Sequence, residues 1–165
     1  MSKHWPGGGP QKNGEDAHFE IGKEQVYPGG MFEYHKIPFE GAFEAGTAQI
    51  MPYYGLPEGI GLEEVGFNYN REVLQMLRED AGFEGVICSD WATVEGFGLF
   101  GIELVSAKKW GVEDLSPLEL VIKSLDAGVD QFGGFGNPAL IVELVESGVI
   151  PESRLDESVR RLLEH

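Results

Sequence analysis

The spacing of hydrophobic positions changes character at about residue 36. Residues 3 to 35 keep no sustained period and carry Gly7, Gly8, Gly9, Gly14, Gly22, Gly29 and Gly30 together with Pro6, Pro10 and Pro28. An irregular stretch of that length inside a compact domain is uncommon and is either functional or disordered. Its aromatic and charged residues, among them Trp5, His18, Tyr27 and Phe32, favour an ordered, functional loop. Beyond it the pattern is regular. Pro38 to Ala45 reads as a short helix opened by proline, 47 to 51 ("TAQIM") as a strand, and the residues after Asn70 as a helix with Val73, Leu74, Leu77 and Ala81 on one face. Gly82 ends it, and 85 to 89 ("GVICS") forms the next strand.

A long loop follows, from Asp90 to about Leu115. It ends in Ser116, Pro117 and Glu119, the signature of a capping box, and the next helix buries Leu120, Val121 and Leu125. A short strand at 129 to 132 leads into "GGFG", and two helices, about Pro138 to Ser147 and Pro151 to Leu163, close the chain. Helices that alternate with short, continuously apolar strands predict a parallel sheet covered by helices, an α/β fold. In each unit the unusual residues fall just after a strand, at the carboxyl end of the sheet, where both barrels and open doubly wound sheets bind ligands. Both architectures fit the pattern. No GxGxxG or P-loop follows any strand, and "GGGP" lacks the lysine and helix start of a phosphate cradle.

Composition narrows the ligand more than the fold. With 42% apolar residues the chain can enclose a core, while 24 glycines in 165 residues are about twice the usual share. The 28 acidic and 12 basic residues leave a formal charge of −16, which repels nucleic acid and anionic lipid and suits a neutral or cationic small molecule. No apolar run reaches the roughly 20 residues needed to cross a bilayer, and the first residues do not form a signal peptide, which leaves the compartment open. Both ends, "MSKHWPGGGP" and "RRLLEH", read as cut.

Asp90 is the leading candidate for chemistry: a carboxylate at the end of a strand is held by rigid backbone, as a nucleophile or orienting base must be. Trp91 beside it offers a flat face to C–H groups or packs within the sheet. Cys88 reads as a small buried side chain. Lys3 and His4 are adjacent donors for hydroxyls, and Asp16 with His18 forms a possible carboxylate and imidazole pair. Met51 and Tyr53 follow the strand at 47 to 51 and serve either as ligand contacts or as lining. Asp130 ends a strand as Asp90 does, but its setting favours a structural role, capping "GGFG". The four histidines, His4, His18, His35 and His165, have no zinc-binding spacing, so neither metal nor cofactor is expected.

Taken together, "KHWPGGGPQKNGEDAH", "IMPYYG", "LREDAGFEGVICSDW", "SLDAGVDQF" and "VIPESRLDESVRRLL" resemble glycoside hydrolase family 3 over nearly the whole chain. "GKEQVYPGG" is most similar to the β-glucosidase and exoglucanase branch. The resemblance implies that Asp90 is the catalytic nucleophile, that Lys3 and His4 bind sugar hydroxyls, with Trp5 where phenylalanine is more usual, and that Trp91 lines the sugar site. Met51 and Tyr53 would contribute to its wall. Asp16 and His18 match the spacing of the acid/base pair of the family's β-N-acetylglucosaminidases, which offers a second assignment, and a β-xylosidase is a further alternative.

A full (β/α)8 barrel needs about 200 residues or more, so the resemblance implies a partial barrel of about four βα units, its second half, with 3–35 as an active-site loop. The expected partners are a β-linked glucoside or oligosaccharide and either the other half barrel with a second domain or another copy of the chain, a self-assembling scaffold. Lacking the acid that a second domain supplies in the glucosidases, the isolated chain is expected to turn over little.

Overall fold

The computed structural model describes residues 1–100 and 102–164; His165 lies outside them. Four parallel strands form the central sheet in the order β1 (Ser2–Trp5), β3 (Gln49–Pro52), β5 (Val86–Trp91) and β8 (Gln131–Gly133). Between them come α1 (Phe32–Glu44), α2 (Arg71–Gln75) and α3 (Pro117–Ala127), and α4 (Pro138–Glu146) and α5 (Glu152–Glu164) follow the last strand. Each strand thus returns to the same sheet through a helical crossover, the βα repeat expected from the sequence. Two small ribbons sit outside it: β2 (Glu24–Val26) pairs with β4 (Leu56–Glu58), and β6 (Phe97–Leu99) with β7 (Ile102–Val105).

The core lies between sheet and helices. Ile50, Val86, Ile87 and Val129 are fully buried, as are Val73 and Leu74 of α2 and Leu77 in the turn that continues it. A second cluster joins Leu120, Val121 and Leu125 of α3 to Leu144 and Ile150. Local signals hold where the sequence is explicit. The Asn70 side chain accepts the Val73 N–H, and Ser116 with Glu119 forms the capping box in both directions. After Gln75 the α-helical ladder widens, so that Ala81 N–H donates to the carbonyl of Met76, five residues back.

Several boundaries differ from the sequence reading. The stretch 3–35 is not all loop: residues 2–5 are the edge strand β1, 24–26 are β2, and α1 begins at Phe32 rather than Pro38. β1 consists of Ser-Lys-His-Trp and carries no apolar run; its order comes from pairing with β3, which a local pattern cannot reveal. Pro38 sits inside α1 at an exposed position, where it forgoes one bond to Tyr34 without opening the helix. The peptide bonds Lys3–His4 and Trp5–Pro6 are cis. β5 runs two residues beyond its expected end and carries Asp90 and Trp91 within the strand, and the loop after it contains the β6–β7 ribbon.

Asp130 is structural, but it does not cap "GGFG". Its fully buried carboxylate accepts bonds from Arg78 Nη2 at 2.7 Å, Arg161 Nη1 at 2.7 Å, Ser158 Oγ at 2.9 Å and the Ile87 N–H at 2.9 Å, with Arg154 Nη1 3.9 Å away. One side chain thereby joins β5, the turn after α2 and helix α5 at the amino end of the sheet. Asp130→Asn leaves half-buried guanidinium groups without their counter-charge and is expected to cost about 3–5 kcal/mol. Glu164→Gln, which breaks the exposed Arg160–Glu164 pair, should cost about 0.5 kcal/mol or less. Urea unfolding of the two variants measures the contrast, and equal midpoints would mean that the buried cluster contributes no more than a surface pair.

Candidate active site

Asp90 lies at the opposite, carboxyl end of β5 and is buried. Its Oδ1 accepts the Trp91 N–H at 2.7 Å and the Tyr54 hydroxyl at 2.9 Å, and its Oδ2 faces His4 Nε2 at 3.3 Å. Burial alone would raise its pKa, but the bonds from His4, Trp91 and Tyr54 outweigh burial and hold the carboxyl below the ordinary range. Tyr54 divides its proton between Asp90 Oδ1 and the Trp91 carbonyl at 2.8 Å. Burial, and then the charge of Asp90, push the Tyr54 phenol well above its usual pKa, so it remains a donor.

From Asp90 the contacts run in a closed circuit. The His4 ring lies 5.0 Å from that of Tyr53; the Tyr53 hydroxyl accepts from Gln11 Nε2 at 2.5 Å and donates to Asp16 Oδ1 at 3.4 Å. Asp16 Oδ1 holds both His18 Nδ1 at 2.7 Å and the His18 N–H at 2.9 Å, and these two bonds lower its pKa. The His18 ring then meets Tyr54 edge-on at 4.8 Å and returns the circuit to Asp90. Strands β1 and β5, the segment after β3 and the loop after β1 therefore converge on one carboxylate.

The remaining expected residues divide. Met51 is buried on β3, opposite Lys3 in register. Lys3 is exposed beside a cleft of about 550 Å³ that it lines with His4, Tyr34 and His35. Among the described residues its amine has no hydrogen-bond or ion-pair partner, so it is brought to the rim without touching Asp90. Trp91 is half exposed and packs against Gly134, where a Cβ would come within 2.3 Å of the indole. Cys88 is buried, and burial followed by the charge of Asp90 raises its thiol to about 11, which keeps it protonated. Tyr54 and Gln11 were not foreseen. Two tyrosines in "PYYG" directly after a strand were the available signal, whereas Gln11 had none.

Among the described residues no group of three or more His, Cys, Asp or Glu is placed to hold a metal ion, and no helix is long and apolar enough to cross a membrane. The parallel sheet with its polar residues gathered at the carboxyl end defines a ligand site of the barrel type. The whole chain, residues 1–165, matches the glycosyl hydrolase family 3 N terminal domain, and the protein belongs to that family. It is 49% identical over 164 residues to β-glucosidase C of Emericella nidulans, covering 99% of this chain and 26% of that protein. It is 42% identical to the periplasmic β-glucosidase/β-xylosidase of Dickeya chrysanthemi, with 98% and 27% covered. The chain thus spans about a quarter of the length of these relatives. Among solved structures, zinc-bound CbsA from Thermotoga neapolitana superposes with a TM-score of 0.75 at 18% identity, over 98% of this chain and 34% of that one. A family 3 β-N-acetylglucosaminidase from Paenibacillus gives 0.74 at 23%, over 98% and 29%. These structures fix the fold as a parallel-stranded part of a (β/α)8 barrel.

The lowered pKa of Asp90 has a consequence for acid stability. In the unfolded chain the group takes its proton near the ordinary value of 3.8, and in the folded chain only at lower pH. Its stabilising contribution is therefore present above that value and is lost as pH falls through the folded one. Whatever the stability difference at neutral pH, wild type should lose more stability than Asp90→Asn between about pH 6 and about pH 3. Parallel pH profiles from urea unfolding would contradict the assigned bonds.

Proposed function

We propose that the chain forms the nucleophile side of a retaining β-glucosidase site that acts on the non-reducing-end glucosyl residue of a β-glucoside. The observation that carries this reading is the geometry of Asp90, with Oδ1 committed to two short bonds and Oδ2 left with one longer contact at the rim of the sheet. The similarity to β-glucosidases over 99% of the chain supports the same substrate. Oδ2 attacks the anomeric carbon as the bond to the leaving oxygen breaks, giving a glycosyl ester that water later hydrolyses, so that configuration is retained. His4, beside Oδ2, and the amine of Lys3, exposed at the cleft, hold sugar hydroxyls. Trp91 turns its exposed face to the ring, with Tyr53 and Met51 behind. These contacts accelerate the reaction only as far as they tighten when the ring flattens towards an oxocarbenium ion.

The leaving oxygen also needs a proton. Here a second reading, that of the β-N-acetylglucosaminidase-like alternative, is favoured by one observation: His18 is bound by Asp16 at 2.7 Å and touches Tyr54, itself bonded to Asp90. His18 supplies the proton in this reading, and Asp16 holds the imidazole. Where a second carboxylic acid serves instead, turnover of poor leaving groups by this chain alone is expected to be small.

Fluoride departs without a proton donor, so 2-deoxy-2-fluoro-β-glucosyl fluoride tests the nucleophile by itself. Intact mass and peptide mapping should show one fluoroglucosyl group on Asp90 in wild type and none in Asp90→Asn. An adduct on another residue, or no adduct in wild type, rejects the assignment. For the second reading, His18→Ala should slow β-glucosides with poor leaving groups by about 100- to 10,000-fold and spare activated aryl glucosides. Equal slowing of both substrate types removes His18 from the proton-donor role.

A further inference from the structure

We propose that Ser89 is a positioning residue for Asp90: its hydroxyl replaces a sheet bond lost at a bulge in β5 and fastens the main chain from which the carboxylate projects. The inference rests on the reading of Asp90 as nucleophile and adds the device that aims it. Cys88 pairs with Gln131 and Trp91 with Gly133, so three steps along β5 face two along β8. The extra residue falls at Ser89 and Asp90. A bulge of this kind leaves main-chain groups without ladder partners, and buried ones must be satisfied otherwise.

The Gly133 N–H is such a group, and it donates to Ser89 Oγ at 2.9 Å. A hydroxyl offers one donor and two acceptor positions, and that of Ser89 fills all three. It accepts from Gly133 and from Thr93 Oγ1 at 3.2 Å, and it donates to the carbonyl of Asp90 at 3.0 Å. Thr93 Oγ1 also lies 3.3 Å from that carbonyl, and both side chains are buried. Gly133 fits the same device from the other strand: a Cβ there would stand 2.5 Å from the Ser89 carbonyl oxygen and 3.1 Å from the carbonyl carbon of Asp90. β8 can approach the bulge this closely because it presents no side chain.

The link to the carboxylate is short. Asp90 Oδ1 is bonded to the N–H of the very next residue, at 2.7 Å. Donor and acceptor therefore hang from the segment that Ser89 pins. Release of the pin lets the carboxylate swing relative to Tyr54 and His4, which reach it from other parts of the sheet. A purely structural serine would affect folding stability and leave these contacts alone.

The test uses the 165-residue chain with ¹³C-labelled aspartate. Ser89→Ala should speed exchange of the Gly133 amide about tenfold, the size of one hydrogen bond's net worth, and should make the Asp90 carboxyl titrate at higher pH. Thr93→Val should move that titration in the same direction by less, whereas Thr93→Ser, which keeps the hydroxyl, should restore the wild-type curve. Faster exchange with an unmoved Asp90 titration would make Ser89 structural only and overturn the proposal. If Ser89→Ala does not fold, the Thr93 pair decides: a curve unmoved in Thr93→Val overturns it as well. Fluoroglucosyl labelling of wild type stands apart from these measurements. Its failure rejects the glycosidase reading, while the titrations still judge the pin.

Discussion

A charge taken into a protein interior must be bonded nearly as well as water would bond it, and the sheet meets this requirement twice, before β8 at its amino end and on β5 at its carboxyl end. At the amino end Asp130 is saturated by two guanidinium groups, a hydroxyl and the Ile87 N–H, all within 2.9 Å. At the carboxyl end Asp90 receives two short bonds on Oδ1 and a single 3.3 Å contact from an imidazole on Oδ2. The first arrangement leaves no capacity for a ligand and fixes the sheet to α5. The second keeps the group ionised with one oxygen lightly held, which is what a nucleophile requires. Both residues are buried, but the Asp130 side chain is wholly enclosed whereas that of Asp90 keeps 11% of its surface exposed, so donors and access together distinguish the two.

That difference lies out of reach of a local reading. Both aspartates end apolar runs, and the arginines that settle the matter, Arg78 and Arg161, stand 52 and 31 residues away from Asp130. Features written within a few residues were legible: the Asn70 cap, the capping box at Ser116 and Glu119, and the strands read at 85–89 and 47–51, which fall on β5 and β3. β1 was not, because a four-residue edge strand with three polar positions exists through its partner. The early start of α1 was hidden by Pro38, whose usual place at a helix start outweighed the weak apolar pattern of Phe32 to Ile37. For the candidate site, residue type and position singled out Asp90, His4, Asp16, His18 and Tyr53, the resemblance implied their roles, and the structure brings them together; Tyr54, which bonds to Asp90, had to be seen.

Three of the glycines lie where chains crowd behind the polar groups of the candidate site. At Gly22 a Cβ would stand 2.4 Å from the carbonyl oxygen of Asp16, so the turn that presents Asp16 and His18 closes only over a bare backbone. Gly133 and Gly134 do the same under Ser89 and Trp91. In each case a side chain of one segment is placed by the lack of a side chain on another. At these three positions the entropy that glycine costs on folding is spent beside the residues on which the proposed chemistry depends.

The strong negative charge is compatible with the neutral glucoside proposed as substrate. A glucoside gains nothing from a long-range field, and at physiological salt exposed charges are screened beyond about 8 Å, so most of the −16 cannot reach the reacting carbon. Binding must come instead from short contacts of the kind that the Lys3 amine, His4 and the Trp91 face can offer. The positive charge that develops on the sugar ring in the proposed reaction is local, and the group beside it is a buried carboxylate whose partners keep it charged. Protonation of Asp90 would remove nucleophile and counter-charge together. The bonds from Tyr54, Trp91 and His4 therefore do more than orient the carboxylate: by holding its pKa down they preserve the electrostatic condition that the proposed glycosyl transfer needs.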